Sequence, residues 1–228
     1  MGGTDGVITT TIGRNGGYDW FGSSGATITY DNVAGGGVIL TEATDGESGS
    51  MQAAPRAFSI TQDAGKFWFE GRIKLGDIVT LANSFYLGLS DGVLAAGVPL
   101  STAGVMADQN GVGFVQPEGD TTTFDCSYKA NGVAIEEVNS AVGAIVADTY
   151  VKLGMIFDPT PATTGTANQL AFFINGVRQT SFKTIPDATG DDFPADVRMA
   201  PTVALAIGAG AATDTLTMDW WRMAQLRA

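Results

Sequence analysis

Gln169–Phe182 reads QLAFFINGVRQTSF. Leu170, Phe172 and Ile174 alternate with Gln169, Ala171 and Phe173, and then Asn175-Gly176 interrupts the run. Val177, Gln179 and Ser181 resume the same period. Asn-Gly accepts the positive φ angles of a tight type I′ turn, so the stretch predicts a β-hairpin turning at Asn175-Gly176.

The same period extends outward in both directions. Upstream, TYVKLGMIFD puts Val151, Leu153, Met155 and Phe157 on one face, and the loop PTPATTGTAN leads into the hairpin. Downstream, PTVALAIGAG offers Val203, Leu205 and Ile207, and LTMDWWRMAQL offers Leu216, Met218 and Trp220. The adjacent Trp220-Trp221 breaks strict alternation, which predicts a bulge there. Earlier in the chain, KFWFEGRIKL sets Phe67, Phe69, Ile73 and Leu75 against Trp68, Glu70, Arg72 and Lys74, the pattern of a sheet with one wet face. SFYLGLSDG turns Phe85, Leu87 and Leu89 inward, with a turn expected at Asp91-Gly92; Val112–Val115 and Phe124–Tyr128 are shorter strands. Helix is expected only in short pieces, at Asp77–Asn83 and around Asn139–Ile145. Strands separated by Gly, Asp, Asn and Pro loops describe an antiparallel β-sandwich.

The N-terminus differs in texture. Residues 1–34 are glycine-rich yet carry Tyr18, Trp20, Phe21 and Tyr30, and aromatic residues need burial. They are expected to form an extended arm with a strand or two, ordered on the chain's own sandwich or on a neighbouring subunit. Residues 35–228 are expected to form a single sandwich domain, because no linker-like composition breaks them.

Composition prunes the functions available. No histidine occurs among 228 residues, which removes Ser-His-Asp and Cys-His catalysis and histidine-ligated metals. A lone cysteine, Cys126, forbids an internal disulfide and reads as a small buried hydrophobe in a strand. A hard cation held by oxygens, chiefly Ca²⁺, remains the one metal option. Twelve basic residues against 24 acidic give a net charge of −12, with the cations scattered singly along the sequence. That distribution argues against a nucleic-acid partner. No run is long and apolar enough to span a membrane, and MGGTDGVITTTIG lacks the basic and apolar regions of a signal peptide, so a cytoplasmic origin is expected.

In order, these segments resemble the concanavalin A-like lectin/glucanase sandwich and its laminin-G-like modules. KFWFEGRIKL looks like an early strand of that family. TYVKLGMIFDPT is similar to its aromatic strand ending in aspartate, and QLAFFINGVRQ to its strand–Asn-Gly–strand hairpin. Asp219, Trp221 and Arg222 in LTMDWWRMAQL match its closing strand, and the resemblance covers roughly Gly65 to Arg227. It implies a jelly-roll fold and says little about activity.

The departures shape the functional expectation. The glucanase branch carries closely spaced carboxylates on one strand, and no such triplet occurs here; Glu136 and Glu137 are neighbours that a strand would point to opposite faces. The lectin branch implies sugar binding near a Ca²⁺ held by loop carboxylates. Asp91, Asp108, Asp120 and Asp191-Asp192 are loop carboxylates that read first as turn formers or solvated groups and only second as ligands, while Trp68 on a polar strand face could stack on a sugar or pack at an interface. The resemblance extends to modules on phage surfaces, usually trimeric. The expectation is therefore a non-catalytic virion structural protein of a tailed phage. It would be a capsid decoration or cement protein contacting the major capsid protein or other virion components, and a homo-oligomer. A carbohydrate-binding adhesion module is the alternative, and a glycoside hydrolase of the same fold comes third.

Overall fold

A computed structural model describes residues 12–15, 18–22, 26–30, 37–42, 47–61, 65–76, 83–92, 99–100, 105–117, 123–134, 136–159, 169–184, 193–208 and 213–226. Fifteen strands lie among them. The first five are β1 (Ile12–Asn15), β2 (Tyr18–Gly22), β3 (Thr27–Tyr30), β4 (Val38–Glu42) and β5 (Glu47–Ala53). The middle of the chain supplies β6 (Phe67–Leu75), β7 (Asn83–Ser90), β8 (Gly111–Gln116), β9 (Thr123–Lys129) and β10 (Glu136–Ala144). The last five are β11 (Val151–Asp158), β12 (Gln169–Ile174), β13 (Val177–Thr184), β14 (Ala200–Ile207) and β15 (Asp214–Gln225).

They form an eight-stranded sheet in the order β1-β2-β5-β14-β7-β8-β9-β10 and a seven-stranded sheet in the order β13-β12-β11-β6-β15-β4-β3. All pairings are antiparallel, and no described residue is helical. The architecture is an antiparallel β-sandwich. Of the strands from the first 34 residues, β2 pairs with β5 and β3 with β4 of the same chain, and β1 adds to β2 at the sheet edge. No helix among the described residues is long and apolar enough to cross a membrane.

The hairpin that organises the sequence is present. β12 pairs with β13 through a turn in which Asn175 has φ 50° and Gly176 φ 82°. Asn175 Oδ1 also accepts the Lys152 N–H at 3.0 Å, pinning the turn to β11. The bulge expected at the tryptophan pair is a register shift of β15 between Met218 and Trp220, which throws Asp219 out of the ladder.

Two local expectations change. The segment around Asn139–Ile145 is not helical, because Asn139–Ala144 belongs to β10. Pairing with β9 decides its conformation over weak intrinsic preference. It is an irregular strand with two register shifts and Ala141 at φ 52°, held where the Ala141 N–H reaches Asp125 Oδ1 at 2.8 Å. Of the other helical candidate, Asn83 opens β7, and residues 77–82 lie outside the described residues. The chain also does not turn back at Asp91-Gly92: β7 ends at Ser90 and its partner β8 starts only at Gly111.

The core fills the space between the sheets. Phe114 of β8 meets Phe124 of β9 edge-on at 5.9 Å and Phe172 of β12 at 5.3 Å, so its ring bridges the layers. Such pairs contribute about 0.5–1.5 kcal/mol beyond area burial. Cys126, fully buried among these groups, is the packed thiol expected from its strand. Burial pushes that thiol far above its ordinary pKa, which keeps it protonated and unreactive.

Candidate functional site

A sandwich offers a ligand three kinds of surface, namely two outer sheet faces and the loops at its ends. Over its central strands the outer face of the eight-stranded sheet is covered by the chain itself. Register aligns Gln52, Thr202, Gly88, Gly113 and Ser127 in one row, and Ser50, Ala204, Tyr86, Val115 and Asp125 in the next. Leu100 and Met106, from the long β7–β8 connection, pack over Tyr86, Val115, Ala204 and Ala206 as a second apolar cluster. Every residue of β7, β8 and β14 is consequently buried on both faces. Tyr86 lies along the sheet and donates its hydroxyl to the Leu89 carbonyl at 2.5 Å. Glycine makes room for it, since a Cβ on Gly88 would lie 2.2 Å from the Val112 carbonyl oxygen and 3.0 Å from the Tyr86 hydroxyl. Beside it, Gln52 Nε2 donates to Ser90 O at 3.0 Å and Thr202 Oγ1 at 2.9 Å.

The loop carboxylates tie the end of that cover down. Asp91 accepts the Asn110 N–H at 2.9 Å and its side-chain amide at 2.6 Å, and its own carbonyl accepts from Arg56. Asn110 Oδ1 accepts the Asn131 N–H at 2.9 Å, and Asp108 Oδ1 the Gly132 N–H at 2.7 Å. The Gly132 N–H holds the Asp108 carboxyl below the usual carboxylate range. The structure thus brings Asp91 and Asp108 to one end of the sandwich, where they fasten the β7–β8 and β9–β10 connections together. Ca²⁺ needs six to eight oxygens, whereas these oxygens face N–H donors that a cation would repel. Among the described residues no group of three carboxylate, thiol or imidazole side chains gathers to hold a metal. Asp120 and Asp191-Asp192 lie outside the described residues.

The outer face of the seven-stranded sheet is open and chemically dense. Trp68 lies there on β6, as its alternation implies, but half-buried under the Arg222 side chain of β15. The Arg222 guanidinium sits 4.8 Å from the Trp68 ring centroid and 5.2 Å from that of Trp220. Its Nε and Nη2 both donate to Glu70 Oε2, at 2.8 and 2.6 Å. Lys152 Nζ of β11 stands 3.4 Å from Glu70 Oε1, so one carboxylate is shared by two cations. Arg72 bonds Asp219 Oδ2 at 2.5 Å and lies 4.2 Å over the Tyr150 ring; Lys74 reaches Asp148 at 3.6 Å. Lys66 pairs with Asp158 at 2.6 Å, and Arg178 donates to Gln169 at 2.6 Å.

This corrects the reading of the cations as scattered. Lys66, Arg72, Lys74, Lys152, Arg178 and Arg222 are far apart in sequence, yet antiparallel pairing of β15, β6, β11, β12 and β13 collects them on one face. The signal was available. The polar phase of KFWFEGRIKL and that of TYVKLGMIFD both point away from the core, and knowing that these strands are neighbours would have joined them. Glu70 shares the polar phase of Trp68 in the sequence, whereas only the fold brings Arg222 over Trp68 and Tyr150 under Arg72.

No family model and no curated protein matches the chain. Solved structures do. The β-glucanase of Bacillus licheniformis superposes with TM-score 0.57 at 15% identity, covering 98% of this chain and 100% of its own. A legume lectin-like domain from Entamoeba histolytica gives 0.57 at 14%, covering 92% and 90%. The alginate lyase AlyC3, in complex with dimannuronate, gives 0.55 at 9%, covering 88% and 78%. At these identities the likeness concerns the fold. The chain has the concanavalin A-like jelly-roll sandwich, a scaffold that serves lectins and glycan-active enzymes alike.

Proposed function

We propose that this chain is a non-catalytic structural module working through protein–protein contacts, as a decoration or cement protein on the head exterior of a tailed phage. The observation that supports the non-catalytic part is the engagement of carboxylates among the described residues. Glu70, Asp91, Asp108, Asp125, Asp148, Asp158, Asp214 and Asp219 each hold a cation or an N–H donor. An acid/base pair flanking a glycosidic bond needs two carboxyl groups aimed at a common space, one of them able to take up or release a proton. The open face offers tryptophan, tyrosine and arginine instead, the residue types that dominate protein interfaces. The virion setting rests on composition: histidine is absent, cysteine is single, and glycine numbers 31.

Quantitative mass spectrometry of purified particles tests this reading. A stoichiometric copy number matching capsid symmetry supports it, and absence from particles overturns it. The second reading, a carbohydrate-binding module, is favoured by the lectin-like scaffold and by the half-buried Trp68 and Trp220 on the open face. A glycan array with and without Ca²⁺ separates the two. Turnover of laminarin or alginate by the purified protein would defeat both.

A further inference from the structure

Asn-Gly occurs four times in the chain, at Asn15, Asn110, Asn131 and Asn175. Such a pair is open to attack by the glycine nitrogen on the preceding side-chain amide, because glycine puts no side chain in the way. The fold treats the pairs differently. Gly16, which follows Asn15, lies outside the described residues. Asn110 is fastened at both polar atoms of its side chain: Nδ2 donates to Asp91 Oδ2 at 2.6 Å, and Oδ1 accepts the Asn131 N–H at 2.9 Å. Gly111 after it is buried. Asn131 and Gly132 are exposed, but the Gly132 N–H, the nucleophile there, donates to Asp108 Oδ1 at 2.7 Å. A carboxylate on that N–H opposes the loss of its proton.

Asn175 is the reverse case. Asn175 and Gly176 are both exposed, and among the described residues no acceptor takes the Gly176 N–H and no partner holds Asn175 Nδ2. Asn175 Oδ1 accepts the Lys152 N–H at 3.0 Å, and the Asn175 N–H donates to Lys152 O at 2.7 Å, so the amide is held against β11 with its carbonyl polarised. A Cβ on Gly176 would lie 3.7 Å from Lys152 Nζ, so this glycine has an ammonium for a neighbour where Gly132 has a carboxylate. Glu70 Oε1 shares that ammonium at 3.4 Å.

We propose that Asn175-Gly176 is a self-modification site, at which the chain converts its own asparagine to aspartate and isoaspartate with Lys152 assisting. Hydroxide takes the proton of the Gly176 N–H, and the nitrogen bonds to Asn175 Cγ. Negative charge develops on Oδ1, at which the Lys152 N–H is already aimed, the placement of an oxyanion donor. The Cγ–Nδ2 bond then breaks, and Nδ2 leaves as ammonia with a proton from water. Water opens the resulting succinimide at either carbonyl, giving aspartate or isoaspartate. Either product sets a new carboxylate beside Lys152. The isoaspartyl form also carries an extra methylene in the main chain, which the two-residue turn cannot hold while keeping both bonds to Lys152. The reaction needs no partner and holds whatever surface the module contacts.

Peptide mapping of the folded full-length protein, incubated at mildly alkaline pH and sampled over weeks, is the measurement. The same chain in concentrated urea supplies the unassisted rates. The mass increase of amide-to-acid conversion locates each event, and methylation by an isoaspartyl-specific methyltransferase separates the two products. Asn175 should convert within roughly threefold of its rate in urea, while Asn110 and Asn131 fall at least about tenfold behind theirs. Lys152→Gln keeps the backbone N–H and removes the charge; it should slow Asn175 roughly threefold, because Glu70 takes a share of that ammonium. Its melting curve reports whether the fold survives, and Lys152→Arg, which keeps the charge, should keep the rate. Asn175 slowed by the fold as much as Asn110 would overturn the proposal. So would Asn110 or Asn131 converting as fast as Asn175, or a rate unchanged in folded Lys152→Gln.

Discussion

Replacing Arg222 with alanine removes two things at once, and the structure lets their sizes be separated. Both hydrogen bonds to Glu70 Oε2 are short, at 2.8 and 2.6 Å, and charge-assisted bonds contribute about 1.5–3 kcal/mol when shielded. The Arg222 side chain is 60% exposed while that of Glu70 is 9% exposed, so solvent screening reduces the pair to about 1–2 kcal/mol. The two indole contacts add about 0.5 kcal/mol each at an accessible site. Arg222→Ala should then cost about 2–3 kcal/mol, and at about 2–4 °C per kcal/mol for a chain of this size the melting temperature drops by about 4–12 °C. Glu70→Gln should cost less, about 1 kcal/mol, because Arg222 keeps its indoles and can turn its charge to water. In a double-mutant cycle from urea denaturation the two substitutions should couple by about 1 kcal/mol. Coupling below about 0.3 kcal/mol, or a melting shift under about 2 °C for Arg222→Ala, would refute the view that this network stiffens the open face.

Other substitutions probe the interior. Gly88→Ala forces a Cβ against the Val112 carbonyl across the β7–β8 ladder and should destabilise by about 1–3 kcal/mol, read by chemical denaturation. Gly132→Ala meets nothing within 4 Å and bears only the strain of its φ of 84°, about 1 kcal/mol. Phe114→Ala opens a hole between the sheets and should cost about 3–5 kcal/mol, with loss of near-ultraviolet circular dichroism on heating at a lower temperature. Burial raises the pKa of both Tyr86 and Cys126, so each contributes stability that is complete below its unfolded value, about 10 for the phenol and about 8.5 for the thiol, and is lost as pH rises beyond it. Base-induced unfolding should begin above about pH 10 and coincide with late tyrosinate absorbance, and Cys126→Ala should move its onset upward.

The seven-stranded sheet was readable because one of its faces meets water. β6 and β11 alternate large apolar with charged residues, and the Asn175-Gly176 turn marks its hairpin in the chain itself. The central strands of the other sheet are buried on both sides, so in SFYLGLS and PTVALAI the alternation is between large and small residues. What fills the outer side, Leu100 and Met106, is announced nowhere near those strands. β10 misled for a related reason. Asn139, Ser140, Ala141 and Gly143 have little preference for strand, and the ladder with β9 imposes it. The phase of KFWFEGRIKL places Trp68 on the outer face, but the guanidinium that covers it comes from β15, 154 positions later, at Arg222. Asp91 and Asp108 stood out as loop carboxylates, and only the geometry of Asn110 and Gly132 shows that they fasten loops.

The placement of β15 reaches beyond the finished molecule. The fifteenth strand in chain order is an inner one, lying between β6 and β4. A nascent chain interrupted before Asp214 leaves both of those strands with open edges of unpaired N–H and C=O groups, together with the apolar residues they bury. The join between β6 and β4 is thus withheld until synthesis has passed Gln225. A product cut short before β15 would expose that surface and be prone to aggregate.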